Sequence, residues 1–152
     1  MDNRDEMLTA FCGLYCGDCL RYKSKAADLA DELLNELKKI DFENYAKVKK
    51  RSVKEFERYH EMVKAMETIV KLKCNTPCRL GGDGCDGPCE IIKCVSLKKF
   101  KGCWECDEFE ECGKLDFLKP IHGDGPINNL RKIRKHGIGD WARYRDKCYP
   151  WL

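Results

Sequence analysis

No apolar run in the 152-residue chain approaches the roughly 20 residues that span a bilayer. The opening segment, MDNRDEMLTAFCG, carries acids where a secretory leader needs a basic patch and an apolar stretch. The chain is therefore expected in the cytoplasm, with no membrane partner. No spacing resembles a Ser/His/Asp set, a phosphate loop or a paired-carboxylate site, so no reaction is assignable. Alternating apolar and polar positions are scarce, which argues against a large sheet. There is no internal repeat and no low-complexity linker, and the length suits one domain or two small lobes sharing a core. The net charge of +3 is too small to name a partner.

What the chain has is cysteine, 12 residues unevenly placed. The single domain, 1–152, divides by composition into four regions. Region 1–22 holds Cys12, Cys16 and Cys19. Region 23–73 holds no cysteine and is strongly helical in pattern. Region 74–118 holds eight cysteines among glycines and prolines, and is acidic. Region 119–152 is basic and holds Cys148.

In region 23–73, Ser24 is placed to cap a helix running to about Ile40. Ala26, Ala30, Leu33, Leu34 and Leu37 form its apolar stripe. Asp41 opens a second segment with Phe42, Tyr45 and Val48. Ser52 to Glu55, SVKE, reads as a capping box before a long helix to about Leu72. Val53, Phe56, His60, Val63, Met66 and Val70 are expected on its buried face, with Met62 and Met66 filling gaps. In the cysteine-rich region, 90–100 reads as a short helix. Residues 107–118 read as another, with Asp107 as cap and Glu110 at the capping-box position. Pro126 starts a helix that Gly137 ends, and Asp140 caps a last one through Tyr144.

In a reducing compartment, clustered cysteines point to metal rather than to six disulfides. Zinc takes four thiolates at tetrahedral corners, and a Cys-x2-Cys turn presents two sulfurs to one ion. CGDC (16–19) and CWEC (103–106) are such turns. One partition respects chain order: Cys74, Cys78, Cys85 and Cys89; then Cys94, Cys103, Cys106 and Cys112; then Cys12, Cys16 and Cys19 closed by Cys148. Interleaved sites, or two ions with several unligated thiols, stay open. His122 is a further candidate ligand or acid–base group. The rival cofactor is an iron–sulfur cluster, because Cys12-x3-Cys16-x2-Cys19 has the spacing of radical S-adenosylmethionine enzymes. Asp18 stands where those have an aromatic, and the large barrel they need is missing. The thiols could alternatively be redox-active, releasing zinc on oxidation.

CGLYCGDCLRY (12–22), Gly84-Cys85, CEIIKC (89–94) and CWECDEF (103–109) together resemble a bacterial and archaeal cysteine-rich domain of unknown function, described as zinc-binding. NLRKIRKHGIGDW (129–141) is similar too. Ile92 stands where arginine is common, and FEEC (109–112) replaces a tighter F-P-C ending. The resemblance implies zinc and one shared architecture, and no activity. The expected fold is mainly α with irregular metal-stabilised loops, a helical hairpin packed against a cysteine-rich zinc-binding lobe. Two or three zinc ions with a chiefly structural role are expected.

The basic tail supports a different class of function. Arg131, Lys132, Arg134 and Lys135 cluster on one expected helix, and Arg143, Arg145 and Lys147 follow around Trp141 and Tyr144. Such residues can hold phosphates and stack on bases, so a nucleic-acid or protein partner is the alternative to a metal scaffold. The plainer reading is a solvated helix face, with Trp141, Tyr149 and Trp151 packed inward.

Overall fold

The computed structural model describes residues 4–82, 84–85 and 87–152. Residues 1–3 of the opening segment and Asp83 of the GGDG turn lie outside them. Among the described residues the chain is mainly helical and has no strand beyond one antiparallel bridge, Thr9 to Tyr15. The α-helices are α1 (Arg4–Leu8), α2 (Lys25–Lys39), α3 (Phe42–Lys49), α4 (Tyr59–Lys71), α5 (Glu90–Lys98), α6 (Lys119–His122) and α7 (Gly125–His136). Short 3-10 turns link several of them. Two compact units emerge: Lys23–Asn75, and Met1–Tyr22 together with Thr76–Leu152.

Unit 23–75 is an antiparallel helical hairpin with α3 at its closed end. Ser24 caps α2 as its position predicts, its Oγ accepting from the Ala27 N–H at 3.3 Å. Ala27, Ala30 and Leu34 are buried along α2. At the open end, Lys23 N–H donates to the Cys74 carbonyl at 2.8 Å, and Lys73 pairs with Asp28 at 2.5 Å. Phe42, Tyr45, Phe56 and Tyr59 form an aromatic cluster with centroids 5.2–6.1 Å apart.

The expected capping box does not form. The Ser52 hydroxyl donates instead to the Lys49 carbonyl that closes α3, residues Lys54–Arg58 make a 3-10 turn, and α4 begins at Tyr59. Tyr59, Val63, Met66 and Val70 therefore set the seam, and His60 falls outside it. His60 is exposed, with Nε2 3.8 Å from Glu43 Oε1. Part of the expected core is open as well: Leu33 and Met62 are exposed.

The other unit is built around Trp141, which is fully buried. Its indole N–H donates to Thr9 Oγ1 at 2.8 Å, and Thr9 donates to the Asp5 carbonyl at 2.6 Å. Asn129, also fully buried, donates to the Gly13 and Asp146 carbonyls at 3.0 and 3.3 Å, and accepts from the Asp146 N–H at 2.8 Å. One side chain thereby joins the amino-terminal loop, α7 and the carboxy-terminal segment. Gly13 is required there. Its φ is +86°, and a Cβ would lie 2.6 Å from the Pro126 carbonyl oxygen. α5 and α7 form where expected, with proline in the first turn of α7 and Gly137 at φ +77° after it.

Residues 107–118 are not the expected helix. They form two 3-10 turns, Phe109–Glu111 and Gly113–Leu118, separated by an extended Cys112. The intended caps are engaged elsewhere. Asp107 accepts from Arg134 at 3.2 Å, and Glu110 accepts two bonds from Arg131 at 2.8 and 2.9 Å. Asp140 likewise makes no side-chain cap to the closing turn, which is 3-10 (Trp141–Tyr144). No described helix is long and apolar enough to cross a membrane.

Candidate metal centre

α5 turns Ile91 and Val95 into the core. The same packing leaves Cys94 and Lys98, four residues apart, on one flank. The CWEC segment supplies the second wall. Its Cys103 N–H donates to the Phe11 carbonyl at 2.9 Å, and its Cys106 N–H closes the turn on the Cys103 carbonyl at 3.0 Å. Trp104 folds back over Gly102, where any Cβ would stand 2.1 Å from the ring. Cys112, extended between its two turns, completes the third wall.

Cys94, Cys103, Cys106 and Cys112 thus line one cavity of about 400 Å³, floored by Phe109, Ile91 and Leu115. Arg134 braces it from behind. It donates to the carbonyls of Trp104 and, at 2.8 Å, Cys106, and its guanidinium lies 4.8 Å from the Phe109 ring centre. Lys98 Nζ donates to Cys106 Sγ at 3.6 Å.

The electrostatics disfavour bare thiolates here. Burial first, and then negative charge on Cys112, Cys94, Cys106 and Cys89, together push the Cys103 thiol up to about 12. Burial also lifts Cys12 well above the ordinary thiol range, against a lowering backbone bond from Leu14. Negative charge on Cys78, Cys103 and Cys85 adds to the rise. Cys78 is raised by burial despite the Phe11 N–H and Arg79. A bound cation is the ordinary means by which such a group of thiols becomes thiolate.

Other predicted ligands gather less completely. Tyr149 is raised by burial first, then by negative charge on Cys19, Cys16, Cys12 and Cys148, and its hydroxyl donates to the Tyr15 carbonyl at 3.4 Å. Cys148 itself is raised by burial, and Asn129 Nδ2 lies 3.9 Å from its sulfur. His122 is half-buried, with Nδ1 2.7 Å from the Cys148 carbonyl and its ring edge-on to Tyr149. Cys74 belongs to unit 23–75. Cys85 is exposed and Cys89 half-buried. Among the described residues, no three His, Cys, Asp or Glu side chains are placed closely enough together to hold a metal ion. The donor chemistry fits a thiophilic ion, but the sulfurs are gathered rather than closed.

The basic tail is largely engaged within its own unit. Arg131 pairs with Glu110, Lys132 with Asp146 and Arg134 with Asp107. Arg143 stands 3.9 Å from Asp140, and Arg145 pairs with Asp18. Lys135 is exposed. Trp141 and Tyr149 are buried as the plainer reading had it, while Trp151 is half exposed. The residue missed in sequence is Lys98; its place four residues after Cys94 on an expected helix was the available signal.

A family model described as "Protein of unknown function (DUF3795)" matches residues 8–117. That span includes the segments 12–22, 89–94 and 103–109 on which the resemblance rests. No curated protein matches, and no solved structure does.

Proposed function

We propose, from the premise that the chain belongs to the DUF3795 family of proteins of unknown function, that it is a metal-binding protein holding zinc with Cys94, Cys103, Cys106 and Cys112. One observation carries this reading: four thiols from three separate segments line a single cavity. When bound, zinc would supply a four-thiolate cross-link with no coordination position left for chemistry. The role is therefore structural. The 3-10 turns around Cys103 and Cys112 are too short to be stable alone, and the ion ties them to α5. The chain's own residues prepare the site. Arg134 satisfies the carbonyls of the CWEC turn, and the Lys98 ammonium offsets negative charge at Cys106.

The test is elemental analysis and a visible spectrum of protein purified anaerobically without added metal. Colourless protein carrying zinc, with at least one ion lost in Cys103→Ser, supports the reading. The same count shows whether the remaining cysteines hold a second or third ion. Brown, iron-containing protein would replace zinc with a cluster. Metal-free protein that folds fully would end the proposal.

A further inference from the structure

Unit 23–75 is an incompletely closed bundle. Among its described apolar side chains only Ala27, Ala30, Leu34, Ala46 and Tyr59 are buried. Leu29, Leu33 and Ile40 along α2, and Met62, Ile69 and Leu72 along α4 and its end, are 40–62% exposed. At 100° per residue, the α2 trio lies within about 40° of one another, beside the buried seam. The α4 trio lies beside its own seam on the corresponding side. Because the helices run antiparallel, both trios fall on the same face of the hairpin. Together they expose about 500 Å² of apolar side chain, at the upper end of what a monomer's largest patch usually reaches.

We propose that this face is a self-association surface, on which a second copy of the chain docks its own hairpin to complete a four-helix bundle. Two such faces buried together reach the roughly 1,000 Å² that a specific interface needs. The charges select the symmetry. The contacts of Lys23 with Cys74 and of Lys73 with Asp28 set residues whose numbers sum to about 100 level across the hairpin. A two-fold axis parallel to the helices keeps those levels and lays α2 against α4 of the second copy. Lys39 then stands level with Glu61 of that copy. Opposite charges thus flank the interface at that level, once on each side of the axis. An axis across the helices would instead set α2 on α2, with Asp28 level with Glu36 and Lys25 with Lys39. Like charges would face each other there. The surface lies wholly within unit 23–75 and does not depend on the metal.

Light scattering and sedimentation of the full chain over about 1–200 µM test the proposal. A dimer is expected. Leu33→Glu and Ile69→Glu alter exposed positions, so helix content should persist while the dimer weakens by at least about tenfold. Glu61→Lys should weaken it too, and Lys39→Glu in the same chain should restore it. A zero-length carbodiimide cross-link between Lys39 and Glu61 should appear only in the dimer band. A monomer across the whole range, or a dimer indifferent to both glutamate substitutions, overturns the proposal. A dimer weakened by them but not rescued by the charge swap overturns the two-fold axis.

Discussion

Arg145 grips Asp18 with two parallel hydrogen bonds, 2.7 Å from Nε and 2.6 Å from a terminal nitrogen, while its guanidinium lies 4.5 Å from the Tyr15 ring centre. The pair joins the carboxy-terminal segment to the CGDC turn, 127 residues away. Both side chains are largely shielded, at 23% and 9% exposure. Lysine has neither the fork nor the flat face. Arg145→Lys should therefore cost about 1–3 kcal/mol in urea unfolding, despite unchanged charge. Equal stability of the variant would reduce this contact to decoration.

Asn129→Asp changes almost no volume but reverses the polarity of one end of the side chain. The amide that donates to the Gly13 and Asp146 carbonyls becomes an oxygen facing two oxygens. A buried carboxylate so placed should cost about 3 kcal/mol or more at neutral pH. The check is the thermal midpoint.

Gly13→Ala should cost about 2–3 kcal/mol, since it needs a left-handed backbone and meets the Pro126 carbonyl. Gly139→Ala is the control. It has nothing within 4 Å and no positive φ, so it should be near neutral. Equal effects at both positions would contradict the packing around α7.

Removing metal with a chelator should lower the thermal midpoint of the native chain and leave Cys103→Ser, lacking that ion, less responsive. Cys148→Ser, outside the cavity, should keep the ion bound there. If Cys148→Ser loses as much metal as Cys103→Ser, the four-thiol assignment is wrong.

The Glu43 carboxyl is held below its usual 4.5 by a hydrogen bond from Lys47 and by that lysine's charge, with a smaller effect from His60. A carboxylate depressed in the folded state adds stability above its unfolded pKa, and that stability is lost as pH falls through its folded value. Carboxyl NMR should find Glu43 titrating below 4.5, and Lys47→Met should return it upward. Glu43 is exposed, so the effect should shrink in high salt.

The legible parts of the sequence were those whose signal is local. Ser24, Pro126 and Gly137 marked helix ends by backbone chemistry that acts within one turn, and the structure uses all three. Cys94, Cys103, Cys106 and Cys112, grouped by their spacing, line one cavity, and their sharing of an ion rests on the proposal above. Failures arose where a distant residue competed for a capping group. Asp107 and Glu110 had cap positions, but Arg134 and Arg131 hold them from α7, 27 and 21 residues on. Ser52 was lost to the end of the preceding helix. The α2 stripe was read as wholly buried because periodicity counts apolar residues and not the partners available to cover them.

The threading of Trp141 to Thr9 and of Asn129 to Gly13 bears on how the chain is made. During synthesis, residues 23–75 are complete while most of 76–152 does not yet exist. Their hairpin can form from contacts within that stretch. The amino-terminal loop has no such option, because its anchors Asn129 and Trp141 lie 116 and 132 residues after the groups they hold. The unit containing the cavity therefore closes after the hairpin. Until Trp141 and Asn129 arrive, Cys12 and Cys19 belong to an unfinished fold, and the nascent chain is expected to be most vulnerable to oxidants then.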